Sequence, residues 1–330
     1  MPGNHPFSTH HQDPDTLARC GERHVIERLR SWLAQVSQPS PQGIGDDCAI
    51  IDLPQRKRQI LTTDAVTWGQ HFDERVSAAE AGAKLIKRNL SDIAAMGGDP
   101  GPALLTLMSG PDLSLRWLES FIAGVREACL TYGVQIVGGD VSELDAGHFS
   151  AGLALTGYVG EHYKLRSTAA VGDHIYVTGQ LGGSILGKHY NFEPRLREGS
   201  WLASRSDCTA MMDLTDGLAK DLGALLPENS SAAIVPAKLP ISAAAAEQSR
   251  TTGRTAIEHA FCDGEDYELL FCCSASADTI AFEADWDDAF PKLEIRRIGQ
   301  ITTPGGSRYL DASTGKPLGY SSGFEHFLPR

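Results

Sequence analysis

The sequence predicts an α+β protein built from two mixed-sheet α/β domains. Three observations carry that prediction. The chain has 330 residues, room for roughly two domains, and 42% apolar residues with 34 glycines suit a compact, turn-rich α/β chain. Apolar residues recur at helical spacing in some stretches and as short runs in others, without the strict strand–helix alternation of a Rossmann unit. The pattern then restarts between Gly160 and Val171. We therefore expect a poorly ordered tail over 1–17, one domain over 18–160 and a second over 161–330.

Residues 18–36 read as a helix with Val25, Leu29, Trp32 and Leu33 on one face. A Ser/Pro/Gln-rich connector leads to Gly43-Ile-Gly-Asp-Asp-Cys-Ala-Ile-Ile51, a glycine–acid turn entering a short strand. Gln59–Thr63 is a strand ending in Asp64. The next helix opens with Ser77-Ala-Ala-Glu80, a capping box in which each side chain satisfies an exposed backbone donor. Ala79, Ala83, Ile86, Leu90 and Ile93 give it an apolar face, and Gly97-Gly98 with Pro100 stop it. Ala103–Met108 is a strand, Leu115–Leu130 a helix ended by Gly133, and Val134–Val137 a strand stopping at Gly138-Gly-Asp140. Ala151–Val159 closes the first half as a strand.

The second half begins with a strand over Val171–Val177, followed by a helix and the loop Asn191–Glu198. Met211-Met-Asp-Leu-Thr-Asp-Gly217 is a strand end turning into a helix over Leu218–Leu226. Further strands are expected at Ala232–Val235, Tyr267–Phe271 and Leu293–Ile301. The last motif is Gly323-Phe-Glu-His-Phe327.

A net charge of −13 argues against nucleic acid as a partner, because a phosphate backbone needs a basic face. No apolar run reaches 18 residues, so no membrane span is expected, and the N-terminus lacks the regions of a signal peptide. The seven cysteines contain no Cys-x-x-Cys pair and sit in apolar surroundings, as in a reducing compartment. The cytoplasm is the default reading.

Gly182-Gly-Ser-Ile-Leu-Gly-Lys188 has the spacing of a phosphate loop, but His189 stands where a hydroxyl must hold magnesium. Gly43-Ile-Gly45 lacks the third glycine of a dinucleotide fingerprint. The acids are the stronger signal. Asp46, Asp47, Asp64, Asp92, Asp140, Asp213 and Asp216 all fall at predicted element ends. Each has an ordinary reading: Asp216 as a turn or cap, Asp263-Gly264 as a hairpin turn, Asp92 as a surface partner of Arg88. If the element ends converge, however, the carboxylates need cations, and oxygen-only ligands favour magnesium or another hard ion. Metals bridging phosphates between acids are what phosphoryl transfer requires.

Several motifs recur together in one family. They are Gly43-Ile-Gly-Asp-Asp-Cys-Ala49, Thr62-Thr-Asp64, Gly69-Gln-His-Phe72 and Asn89-Leu-Ser-Asp-Ile-Ala-Ala-Met-Gly97, followed by Gly138-Gly-Asp140, Asp213-Leu-Thr-Asp-Gly217 and Gly264-Glu-Asp-Tyr-Glu-Leu269. From about residue 20 to 327 the chain resembles the thiamine-monophosphate kinases, of the superfamily that includes aminoimidazole ribonucleotide synthetase. The resemblance implies ATP-dependent phosphorylation of thiamine monophosphate, with several Mg²⁺ held by acids. It implies Asp47, Thr62, Thr63, Asp64, Asp92, Asp140, Asp213 and Asp216 as metal ligands. It places Gly139, Asp140, Arg166 and Thr215 at ATP, and His71, Glu265 and Phe324 at thiamine monophosphate, with no catalytic residue beyond the metal ligands. The implied fold is a homodimer whose N-terminal sheets pair into a barrel, with a C-terminal α/β sandwich. Arg166 suits a phosphate through its planar fork, Glu265 a cationic thiazolium, and Phe324 a cation–π contact. The chain differs from the family pattern at Val141-Ser142, at Thr215 and at Asp263, where two hydroxyl residues, serine and glycine are usual. The alternatives are a superfamily enzyme with another acceptor and a non-catalytic metal- or thiamine-phosphate-binding module. No reactive cysteine stands near either end, which speaks against the selenophosphate synthetases and hydrogenase-maturation proteins.

Overall fold

The computed structural model describes residues 5–8, 15–39, 42–44, 51–55, 57–320 and 323. The chain divides into two compact units. One takes in the chain up to Ile93 with Asp99–Gly160; the other takes in Ala94–Gly98 and the chain from Glu161 onward.

In the first unit, α1 (Leu17–Cys20) and α2 (Glu22–Trp32) precede β1 (Arg58–Thr67) and α3 (Ala78–Ala95). Then come β2 (Asp99–Ser109), α4 (Leu115–Tyr132), β3 (Ile136–Glu143) and β4 (Phe149–Val159). The strands lie in the order β1-β4-β2-β3, and only β2 and β3 are parallel, joined through α4 as a parallel pair requires. Alternation along the strands separates two faces. Leu105 and Leu107 of β2 and Leu153 and Leu155 of β4 are buried, whereas Leu61, Leu104 and Ala154 are exposed on the opposite side.

Phe149 of β4 lies edge-on to Trp117 and Phe121 of α4, with ring centroids 4.9 and 5.2 Å apart, which seats that helix on the sheet. The helices α3 and α4 meet backbone to backbone at two glycines. A Cβ on Gly82 would lie 2.0 Å from Phe121 O, and one on Gly124 1.9 Å from Ala79 O. The expected capping box forms: Glu80 N–H donates to Ser77 Oγ (3.3 Å) and Ser77 N–H to Glu80 Oε2 (2.9 Å).

Several expectations change here. The sequence reading ends a strand before Gly138-Gly-Asp140, but β3 runs straight through them. Gly139 is required by close approach rather than by a turn, since a Cβ there would lie 1.8 Å from Leu105 O of the neighbouring strand. Within the stretch expected to be a loose tail, Phe7 bridges to Leu113 and buried Thr16 to Ser114. Most of the strand expected over Gly43–Ile51 lies outside the described residues.

The second unit holds β5 (His174–Thr178), α5 (Lys188–Asn191), α6 (Leu196–Ser204), β6 (Cys208–Asp213), α7 (Leu218–Leu225) and β7 (Ser231–Ile234). It continues with α8 (Ala243–Thr252), α9 (Ala256–Cys262), β8 (Leu269–Cys273), α10 (Thr279–Ala289), β9 (Ile295–Thr302) and β10 (Tyr309–Asp311). The sheet order is β10-β7-β9-β5-β8-β6, mixed because β10 and β7 are parallel and the other neighbours antiparallel. Successive residues of β5 and β8 feed two separate cores, giving a sandwich with helices on both faces. Ile175, Val177 and Cys272 pack with α7 and α9, while Tyr176, Phe271 and Cys273 pack with Trp286 of α10. The adjacent cysteines are thus two small core residues pointing opposite ways. In place of a full helix after β5 there is a tight turn with a 3₁₀ segment over Ser184–Leu186, and α6 starts inside the expected Asn191–Glu198 loop. Among the described residues, no helix is long and apolar enough to cross a membrane.

The glycine contact between α3 and α4 makes a prediction against helix propensity. Alanine is the better helix former by about 1 kcal/mol. Gly124→Ala should nevertheless destabilise the protein by about 1–3 kcal/mol, because the methyl group meets backbone that cannot yield cheaply. Urea unfolding of the variant measures this; an unchanged or raised midpoint contradicts the contact.

Candidate functional site

The first unit brings three of the expected ligands together. Thr62 and Asp64 are two apart on β1, hence on one face, and Asp92 stands on α3 above them. Thr62 Oγ1 donates a short hydrogen bond to Asp92 Oδ2. Burial pushes the Asp92 carboxyl up to about 6; the Thr62 hydroxyl and Arg88 pull it down, and the charge of Asp64 pushes it further up. Arg88 turns to Asp64 (Nε–Oδ2 3.0 Å) and Ala65 O (2.5 Å). The surface ion pair of Asp92 with Arg88 that sequence spacing offers is therefore replaced by a half-buried Thr62–Asp92–Asp64–Arg88 cluster.

Thr63 and Asp140 lie on the open face of the same sheet. There Ser142 Oγ donates to Asp140 Oδ2 (2.6 Å), so Ser142 supplies a hydroxyl beside the acid. A concavity of about 1170 Å³ covers this face, lined by Leu61, Thr63, Leu104, Gly139 and Asp140 among others. His71 follows β1. Its Nδ1 accepts from Thr67 N–H (3.1 Å), which leaves the proton of the neutral ring on Nε2, and Lys84 Nζ donates to His71 O (2.8 Å). Asp46, Asp47 and Phe324 lie outside the described residues.

In the second unit, buried Asp213 ends β6 and the turn Leu214–Gly217 follows. Asp216 is not a helix cap: the cap position of α7 is Gly217, and Asp216 pairs with Lys220 at 2.7 Å. Asp221 is the residue that sequence reasoning missed. Its Oδ2 accepts from both Thr215 N–H and Asp216 N–H, each at 3.0 Å, and so shapes the turn. Its signal was there: an acid on the apolar side of α7 beside Leu218, Leu222 and Leu225. Arg166 is exposed on a 3₁₀ turn that Thr168 Oγ1 ties to Thr209 O at the start of β6 (2.7 Å).

Glu265 joins this turn through its backbone, N–H to Thr215 O at 2.8 Å, so Thr215 and Glu265 are brought together. Gly323, the residue before Phe324, packs there too; a Cβ on it would lie 2.3 Å from Asp216 O. Asp263 does not add bare charge. Gly183 N–H (3.0 Å), His259 Nδ1 (2.9 Å) and Arg254 (3.2 Å) surround it. Among the described residues, no group of three or more His, Cys, Asp or Glu side chains is arranged to hold a metal. Thr62, Asp64 and Asp92 still fit a hard cation: an all-oxygen donor set in which two carboxylates repel and burial disfavours charge.

Comparison with known proteins places this geometry. Residues 45–159 match the model of the AIR synthase related protein N-terminal domain. A thiamine-monophosphate kinase from Rhodopirellula baltica is 36% identical over 289 residues, covering 85% of this chain and 89% of that one. The chain belongs to the thiamine-monophosphate kinase family. The kinase from Escherichia coli K12 is 34% identical over 276 residues, 76% of this chain and 82% of its own length. Among solved structures, thiamine-monophosphate kinase from Stenotrophomonas maltophilia K279a has a TM-score of 0.69 at 29% identity, covering 84% of this chain and 93% of that one. AaThiL complexed with AMPPCP and TMP has a TM-score of 0.70 at 28% identity, covering 93% and 97%. Hydrogenase maturation protein HypE of E. coli reaches 0.71 at 18% identity over 93% and 98%, a likeness of fold alone.

The acid-rich loop of this family member also predicts a pH response. Burial pushes the Asp266 carboxyl up to about 8; Lys188 and Gly182 N–H oppose the rise, while Glu268 and Asp263 add to it. An unfolded aspartate ionises near pH ~4, so the folded state keeps a proton that the unfolded state has lost. The stability this contributes is complete below pH ~4 and is lost as pH rises through about 8. Asp266→Asn should therefore flatten the fall in stability between pH 5 and 8, read from urea unfolding at several pH values. Parallel curves for the two proteins contradict it.

Proposed function

We propose that this protein is an ATP- and Mg²⁺-dependent kinase that phosphorylates thiamine monophosphate to thiamine diphosphate by direct phosphoryl transfer, acting as a cytoplasmic homodimer. The observation that carries this reading is the near full-length match to a structure complexed with AMPPCP, an ATP analogue, and TMP. The roles follow the family motifs. Asp47, Thr62, Thr63, Asp64, Asp92, Asp140, Asp213 and Asp216 hold Mg²⁺. Gly139, Asp140, Arg166 and Thr215 contact ATP, and His71, Glu265 and Phe324 contact thiamine monophosphate.

Bound Mg²⁺ supplies charge neutralisation on the transferring phosphoryl group. The rest is work for the chain's own groups. Thr62 orients Asp92 through its hydroxyl, and Arg88 holds Asp64 in place. His71, with its proton on Nε2, donates to an acceptor oxygen. Arg166, exposed on its turn, reaches phosphate oxygens bidentately. Glu265 faces the cationic thiazolium. The open sheet face supports pairing of two chains, because Leu61 of β1 is 74% and Leu104 of β2 48% exposed on it.

The decisive experiment follows ADP release with thiamine monophosphate, thiamine and an aminoimidazole precursor side by side, in wild type and Asp92→Asn. Wild type should turn over only thiamine monophosphate, and the variant should lose more than about tenfold in rate. Asparagine removes a repelling charge, so the metal-free variant should melt no lower than wild type, yet lose most of the rise in Tm that Mg²⁺ with AMPPCP gives. Equal turnover of thiamine defeats the substrate assignment; identical ligand-induced shifts with activity preserved defeat the metal role of Asp92.

The dimer is tested separately. Leu61→Glu places a charge on the open face and should convert a species of twice the 35.5 kDa chain mass to a monomer in light scattering. A wild-type monomer, or a variant of unchanged mass, contradicts the paired sheets.

A further inference from the structure

The segment Gly182–His189 has the spacing of a phosphate loop and no role in the reading above. Several of its polar groups meet one target, although Lys188 Nζ also donates to Gln180 O (2.6 Å). Gly182 N–H donates to both oxygens of Asp266 (3.0 and 3.1 Å), Gly183 N–H to Asp263 Oδ2 (3.0 Å) and Ser184 Oγ to Gly264 O (2.5 Å). Lys188 Nζ donates to Glu268 Oε1 (2.8 Å), and His189 Nδ1 lies 3.6 Å from Glu265 Oε2. What occupies this loop is the protein's own acidic motif, residues 263–268.

The motif so held is strained. Glu265 has φ 61° and Tyr267 φ 51°, left-handed conformations that cost a non-glycine residue and persist only where the surroundings over-determine them. The surroundings do so here. Glu265 N–H and Tyr267 N–H donate to Thr215 O and Leu214 O, both at 2.8 Å, and the Tyr267 ring stacks on Phe192 with centroids 3.7 Å apart. The outcome is a carboxylate that is hydrogen-bonded at one oxygen and faced by an imidazole at the other. Tyr267 OH donates to Glu265 Oε1 (3.1 Å), His189 faces Oε2, and the side chain remains 28% exposed.

We infer that Tyr267 and His189 are positioning residues for Glu265, and that the Gly182–His189 segment is the rigid back of a pocket for a cationic ring. This rests on the proposed role of Glu265 opposite the thiazolium. A carboxylate left to rotate would turn toward water, and ordering it on binding would cost affinity. Here the backbone strain, the ring stack and the phenol order it beforehand.

The test uses Tyr267→Phe, which keeps the ring stack and removes only the hydroxyl, together with His189→Asn, Glu265→Gln and the Tyr267→Phe/Glu265→Gln double variant. Calorimetry measures binding of thiamine monophosphate and of its deaza analogue, in which an uncharged thiophene replaces the thiazolium; steady-state kinetics supply KM for ATP. Tyr267→Phe should weaken thiamine monophosphate by about three- to tenfold, the range for loss of one ordinary hydrogen bond, because the phenol acts on the ligand only through Glu265. It should leave the uncharged analogue and KM for ATP unmoved, and His189→Asn should show the same selectivity. The double variant should bind no more weakly than Glu265→Gln alone, since the phenol acts through that carboxylate. Unchanged binding in Tyr267→Phe, equal weakening of both ligands, or full additivity overturns the inference while leaving the kinase reading intact. A wild-type protein that does not bind thiamine monophosphate overturns both.

Discussion

The second unit is organised by one fully buried carboxylate. Glu268 is 1% exposed and takes four hydrogen bonds: Lys188 Nζ on Oε1, Thr178 Oγ1 on Oε2, and the Arg195 fork on both oxygens at 2.7–2.8 Å. Burial alone would push its pKa up, but Lys188 and Arg195 overcome that and hold the group below the usual carboxylate range. Each partner belongs to a different element. Thr178 ends β5, Lys188 starts α5, Arg195 precedes α6, and Glu268 itself leads into β8. Its carbonyl also receives Leu214 N–H at 2.8 Å, which fixes the turn after β6. A buried ion cluster is weak as a source of net stability, because desolvation offsets attraction, but losing one member leaves uncompensated charge. It therefore dictates where these segments meet more than how firmly they fold.

Most of the acids described above fall into two sets that differ in burial, with buried Asp213 at the end of β6 outside both. Glu268, Asp221 and Asp266 are buried and satisfied by the protein's own donors, and they shape loops. Asp64, Asp92, Asp140, Asp216 and Glu265 retain exposure. Nothing in the composition separates the sets; a net charge of −13 counts them alike. Only their burial does.

Much of the fold was legible because local rules decided it. The Ser77–Glu80 box and the strands over β1, β2 and β4 follow from capping chemistry and periodicity, which act within a few residues. The misreadings have a common cause. Gly138-Gly139 was read as punctuation, yet a glycine also serves where two backbones approach, and that need arises from a neighbouring strand. Helical spacing offers Arg88 to Asp92 as that acid's ordinary partner, whereas Asp64 competes for it from a strand 24 positions away. Asp221 was passed over because its partners are amides of a turn, to which sequence patterns are blind. The six-strand order β10-β7-β9-β5-β8-β6 lay beyond local reasoning for the same reason. At the site, motif resemblance nominated residues well, and geometry supplied what motifs lack: which oxygens are engaged and by what.

Two turns of the second unit have their leading amides taken by the chain's own acids. At Gly182-Gly183 the N–H groups are taken by Asp266 and Asp263. Ahead of α7, the amides of Thr215 and Asp216 are taken by Asp221, an acid lodged in the first turn where the helix dipole favours negative charge. An anion arriving at these four amides would have to displace an acid side chain. Under the proposed function, phosphate oxygens find partners among side chains such as Arg166 and among cations held by the acids. On that reading the acidic composition has a physical sense: carboxylates recruit the cations that neutralise phosphate charge.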